Sequence, residues 1–97
     1  MRFVPYTLLD GEQQNRKYPR TFHIPSLIEK ELVSKGDYVQ LSFSCEGYDN
    51  SERMWVRVTG QGVGILDNDP AFLPLVSDML VHYEPRHIIK ILKKDEV

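Results

Sequence analysis

The sequence predicts an α+β domain, with one N-terminal helix followed by a strongly curved antiparallel sheet of about five strands. Three observations lead there. Ser26-Leu27-Ile28-Glu29 opens a helical segment that Gly36 closes. From Val39 onward the apolar residues recur every second position instead of every third or fourth. Finally, 97 residues bury only roughly 60–65% of their unfolded surface, so a sheet of that many short strands has to curl to cover one apolar face. A small, partly closed barrel of the SH3-like kind satisfies this, as does an open curved sheet with the helix laid across it.

Taken in order, residues 1–20 read as an irregular arm. Gly11, Glu12, Gln13, Gln14, Asn15, Arg16 and Lys17 form a polar run with neither helical nor strand period. Tyr18-Pro19 and Ile24-Pro25 bias the residue before each proline toward extended geometry. Between them, Thr21 to Ile24 could pair as a short strand. Ser26 and Glu29 have the spacing of a capping box. Leu27, Ile28, Leu32 and Val33 mark an apolar stripe, and Gly36 offers a left-handed stop, for a helix of about ten residues. That stripe is expected to close one side of the core.

Val39, Leu41, Phe43 and Cys45 then alternate with polar residues, as a half-buried strand does. Met54, Val56 and Val58 alternate with Arg53, Trp55 and Arg57 in a second strand. A turn at Gly60-Gln61-Gly62 leads to a third strand, Val63 to Leu66, so these two form a hairpin. Pro74 argues for a loop over residues 71–76. Met79, Val81 and Tyr83 face one way on a fourth strand, and His87 to Leu92 is apolar on both faces, as a more buried fifth strand would be. The expected inward set includes Val63, Ile65, Val81, Ile89 and Ile91. Residues 21–92 form the globular core of a single domain over 1–97, and 93–97 a solvated tail.

Composition narrows the function classes. Hydrophobic residues make up 41% and charged residues 27%, with a net charge of −2, as in an ordinary globular domain. A slightly acidic chain lacks the basic face that nucleic-acid binding normally needs. Met1 to Asp10 is interrupted by Pro5 and Asp10 and reads as no signal peptide. No stretch approaches the ~18–20 apolar residues of a membrane span. A cytoplasmic location without membrane association is expected. A single Cys forms neither an internal disulfide nor a Cys-based zinc site.

Several segments resemble a known family. Tyr18-Pro19-x-Thr21-Phe22-x-Ile24-Pro25-Ser26, Gly36-Asp37-x-Val39, Glu52-Arg53-Met54-Trp55-Val56-x-Val58, Gly64-x-Leu66-Asp67-Asn68-Asp69-Pro70 and Glu84-Pro85-x-His87-Ile88 resemble, in that order, the YegJ-like bacterial domain of unknown function. The likeness covers about Tyr18 to Leu92. It implies a small bacterial protein with no established activity and no known cofactor, so no catalytic residue is carried over. Where the family pattern has a Gly-Asp turn before the fourth strand, this chain has Ser77-Asp78.

Two candidate sites stand out. If Met54, Val56 and Val58 face the core, Trp55 points the other way between Arg53 and Arg57, and Trp and Arg are enriched at binding hot spots. The competing expectation is that the arm or the 71–76 loop covers Trp55. Asp67-Asn68-Asp69-Pro70 suits a tight turn; its oxygens also suit a hard cation, but Ala71 and Phe72 stand where an EF-hand needs an oxygen ligand and a glycine. His82 to His87 lacks the spacing of a zincin or deaminase motif, and His23, His82 and His87 read as structural. Cys45 reads as an inward strand residue. Gly60-x-Gly62-x-Gly64 supplies turn geometry and no phosphate loop.

No catalytic residue, metal site or cofactor is assigned. The expected function is a non-catalytic protein-binding module, regulatory or immunity-type, with an unidentified protein partner. Its candidate surface is Arg53, Trp55, Arg57, Asp67, Asn68 and Asp69. The alternatives are a small barrel that binds single-stranded nucleic acid through Trp55 and the two arginines, and a metal-dependent hydrolase built on Asp67 and Asp69.

Overall fold

Alternation accounts for the centre of the fold. Val39, Leu41 and Phe43 are fully buried on one strand, and Met54, Val56 and Val58 on the next. Around them the computed structural model describes residues 6–96. It contains, in chain order, β1 (Thr7–Leu8), α1 (Gly11–Lys17), α2 (Leu27–Glu31), β2 (Tyr38–Ser44), β3 (Glu52–Gly60), β4 (Val63–Leu66), β5 (Leu80–His82) and β6 (Lys90–Leu92), with 3-10 turns at Pro85–His87 and Lys94–Glu96. The expected α+β class and curled antiparallel sheet are present.

All strand pairs are antiparallel, in the order β1-β2-β3-β4-β5. β6 does not continue the meander. The 3-10 turn carries the chain across to the far edge of β2, where Tyr38 pairs with Leu92 and Gln40 with Lys90. The sheet therefore wraps its core as a partial barrel. The fifth predicted strand is correspondingly shorter: His87 ends the turn, and the buried Ile88 and Ile89 precede Lys90–Leu92.

The third strand corrects the expected core. Gly64 and Leu66 face inward, and Val63 and Ile65 are only half-buried. The cause lies in the hairpin: Val56 pairs with Leu66 and Val58 with Gly64, and the register slips between Val58 and Gly60. That bulge places one extra residue on β3 and reverses the parity expected for β4. Gly64 is required at this inward position. A Cβ there would lie 2.5 Å from the Arg57 carbonyl oxygen and 2.6 Å from Val56 Cγ1.

Residues 6–20 are not irregular; residues 1–5 of the expected arm lie outside the described residues. Tyr6 packs on Phe43 with ring centroids 5.4 Å apart. β1 pairs with the end of β2. Asp10 then caps α1 by accepting from the Gln13 N–H at 3.0 Å, with Glu12 in the first turn and Arg16 and Lys17 in the last, the charge order that a helix dipole favours. Residues 21–24 form no strand; Thr21 and Phe22 N–H both donate to the Tyr18 carbonyl in a turn.

The second helix keeps its capping box, formed by Ser26 and Glu29, but not its expected length or orientation. It spans five residues and ends at Leu32, so Gly36 is not its cap; Gly36 N–H donates to Val58 O at 2.8 Å. Lys30 is the buried residue, held by Glu12 of α1 at 2.9 Å. Leu27, Ile28 and Leu32 remain 66%, 68% and 65% exposed. Of the expected stripe, Val33 alone packs against the core, which is otherwise closed by Leu73 and Leu75 of the 71–76 loop, with Ile88. Asp78 adopts a left-handed φ of 72°, and its N–H donates to Leu66 O. Thus Ser77-Asp78 makes the turn into β5 without the glycine that such a φ favours. The C-terminal tail is not free either: Lys93 and Lys94 bind the buried Asp37.

Candidate functional site

The outer face of the sheet is assembled by cross-strand register. Along β3, Arg53, Trp55 and Arg57 all point outward, the two arginines exposed and Trp55 half-buried. On β2, Ser42, Gln40 and Tyr38 stand opposite them. On β4, Ile65 stands opposite Arg57, and on β5 the exposed Leu80 stands opposite Ile65. On β6, Leu92 stands beside Tyr38. Directly paired side chains lie about 4.5–5.5 Å apart at Cβ, so Leu92, Tyr38, Arg57, Ile65 and Leu80 form one transverse row, with Trp55 beside it.

The β3 bulge produces this surface. Had β4 kept the expected parity, Ile65 would lie in the core and Gly64 on this face. Trp55, Tyr38, Asp67 and Leu92 line a shallow groove of about 230 Å³. Among the described residues, neither the arm nor the 71–76 loop contributes to that lining. At the far end of the face the Arg53 guanidinium lies 5.4 Å from the ring centroid of Phe22, just after the arm, a cation–π distance.

The acidic segment has a structural part and a free part. Trp55 N–H donates to Asn68 Oδ1, and Asp67 N–H donates to Trp55 O at 2.9 Å. These bonds extend the hairpin ladder past Leu66 and fix the Trp55 backbone. The Asp67 side chain is exposed at the edge of the groove, and Asp69 is exposed beyond it. The six expected site residues therefore divide. Arg53, Trp55, Arg57 and Asp67 share the face, the Asn68 side chain supports it by holding the Trp55 backbone, and Asp69 forms no hydrogen bond or ion pair among the described residues. Tyr38, Ile65, Leu80, Lys90 and Leu92 join the face although sequence reasoning did not select them.

Gln40 pairs with Trp55 on one side and Lys90 on the other. Its Oε1 is buried without a hydrogen-bond partner among the described residues. An orphaned buried acceptor costs about 1–3 kcal/mol, so this face is less completely satisfied than the rest of the fold. By contrast Glu52, at the start of β3, accepts from the N–H groups of Ala71, Phe72 and Leu73. Burial opposes its charge, but these three donors win and lower its pKa.

Of the other candidate groups, His23 and His82 are exposed, while Cys45, His87 and Asp37 are engaged or sealed. Cys45 is buried, and burial raises its thiol pKa, which disfavours the thiolate. His87 is buried, which lowers its pKa, and its Nδ1 accepts from Glu84 N–H at 3.0 Å. Asp37 is fully buried. Burial would raise its pKa, but Lys93 Nζ at 2.7 Å, Lys94 N–H and Ser34 N–H outweigh burial and hold it at about 2. Among the described residues no group of three or more His, Cys, Asp or Glu side chains could hold a metal ion, and no helix is long and apolar enough to cross a membrane.

No family model, curated protein or solved structure matches the chain.

Proposed function

We propose that this chain is a non-catalytic protein-binding module, regulatory or immunity-type, that docks its partner on the outer sheet face around Trp55. A small cytoplasmic protein of the YegJ-like bacterial kind is part of this reading. The observation that carries it is the clustering of Trp55, Tyr38 and Arg57 with outward Ile65, Leu80 and Leu92 on one rigid surface. Aromatic residues and arginine concentrate binding energy at interfaces, and regular strands hold them in place without the ordering cost of loops. Capture of partners by wild type, Trp55→Ala and Arg57→Ala tests the reading. A specific partner retained by wild type and lost with either variant supports it; equal recovery with all three removes the face.

A further inference from the structure

We infer that the partner's contact region is an acidic polypeptide segment that places carboxylates on either side of an apolar side chain. This rests on the docking role of the Trp55 face and adds the chemistry of what docks there.

Charge complementarity carries the argument. Arg53, Arg57 and Lys90 are the cations of the face, and all three are exposed. The ion pairs among the described residues are Lys30 with Glu12, Arg86 with Asp10 and with Glu84, and Lys93 with Asp37. None involves the three cations of the face. Asp67, the one carboxylate among the described residues that line the groove, pairs with none of them, so the described face keeps an uncompensated positive charge in a chain of net charge −2.

Spacing adds a second constraint. Arg53 and Arg57 are four residues apart on one strand, and at ~3.3 Å rise per residue their Cα atoms lie about 13 Å apart. Trp55 stands midway. An extended segment with Asp or Glu at positions i and i+4 and an apolar residue at i+2 repeats that spacing. Each carboxylate would then meet a guanidinium, which presents its donors in a planar fork suited to carboxylates, and the apolar residue would enter the groove between Trp55, Tyr38 and Leu92. A nucleic acid fits less well. Three cations give few phosphate contacts, the chain as a whole repels a polyanion, and Ile65, Leu80 and Leu92 offer aliphatic surface where bases stack on aromatic rings.

Selection from a random peptide library on the immobilised full chain tests the inference. Wild type, Trp55→Ala and Arg57→Glu are compared at low salt, after melting curves establish that the variants fold. Peptides selected on wild type are expected to carry an excess of Asp and Glu around an apolar residue. A selected peptide is expected to bind Arg57→Glu about tenfold or more weakly, and to weaken as salt is raised. Peptides without acidic excess that depend on Trp55 but not on Arg57 overturn the acidic partner and leave the docking face intact. Peptides indifferent to Trp55 overturn both. A selection that enriches no peptide, or a labelled single-stranded oligonucleotide that binds wild type more tightly than the selected peptide, also overturns the acidic segment as the ligand.

Discussion

Asp37 and the Arg53/Arg57 pair are the two most informative charged sites in this molecule, and the fold treats them oppositely. Asp37 is sealed from solvent and saturated by Ser34, Lys93 and Lys94. Arg53 and Arg57 are exposed and form no ion pair among the described residues. Both carboxylate oxygens of Asp37 are bonded, Oδ1 to Lys94 N–H and Oδ2 to Lys93 Nζ and Ser34, which ties the entry of β2 to the segment after β6. Among the described residues, Arg57 stays free beside a half-buried Trp, and Arg53 is engaged by the Phe22 ring alone. Charges committed to the fold and charges free of it can therefore be separated by their bonding.

The strongest way to break this comparison is Asp37→Ala. Removing Asp37 leaves the Ser34 and Lys94 N–H groups without their acceptor and the 39%-exposed Lys93 without its counter-ion, and a loss of about 3 kcal/mol in unfolding free energy is expected, read from denaturant midpoints. Arg57→Ala in the same assay should stay within about 0.5 kcal/mol of wild type. The Asp37 contribution also has a defined pH window. Its folded pKa is depressed from 3.8 to about 2, so its stabilisation is complete above pH 3.8 and is lost as pH falls toward 2, by an amount of about 2 kcal/mol. Asp37→Asn should flatten that part of the acid-unfolding curve; an unchanged acid limb would contradict the assignment.

Next in size is Gly64→Ala, which drives a methyl group into the Arg57 carbonyl and should destabilise by about 1–3 kcal/mol. Because the same residue holds β4 against β3, this variant should also disturb Trp55 fluorescence, linking core packing to the outer face. Glu52→Ala comes third. It strands three backbone donors of the loop that closes the core, and a loss of about 1–3 kcal/mol is expected, with faster amide exchange at Ala71, Phe72 and Leu73. The smallest effect is expected at Leu32→Ser. Since that side chain is 65% exposed, unfolding free energy should move by no more than about 0.5 kcal/mol; a larger loss would mean the α2 stripe packs as the sequence alone suggests.

These variants also mark where sequence reading stopped. The strict alternation of Val39, Leu41 and Phe43, and of Met54, Val56 and Val58, revealed both central strands and the outward direction of Trp55, because a sheet with one buried face imposes period two. The parity of β4 was hidden. Val63 and Ile65 are as apolar as Leu66, and the bulge that reverses them depends on pairing with another strand. The α1 helix has no apolar stripe, and its only signs were the Asp10 cap and the charge order from Glu12 to Lys17. The capping box of α2 was readable, yet a tertiary ion pair with Glu12 turns Lys30 inward and leaves the leucines outside. For the site, Arg53, Trp55 and Arg57 follow from one strand. Tyr38, Ile65 and Leu92 reach it only through register across four strands, which no local pattern encodes.

The central claim, that the Trp55 face is where this protein meets its partner, is tested most directly by partner capture with folded Trp55→Ala measured against wild type. The account predicts at least a tenfold fall, as expected for truncating an interface hot spot of about 2 kcal/mol or more, with a melting temperature close to that of wild type. Equal capture by the two proteins would contradict it.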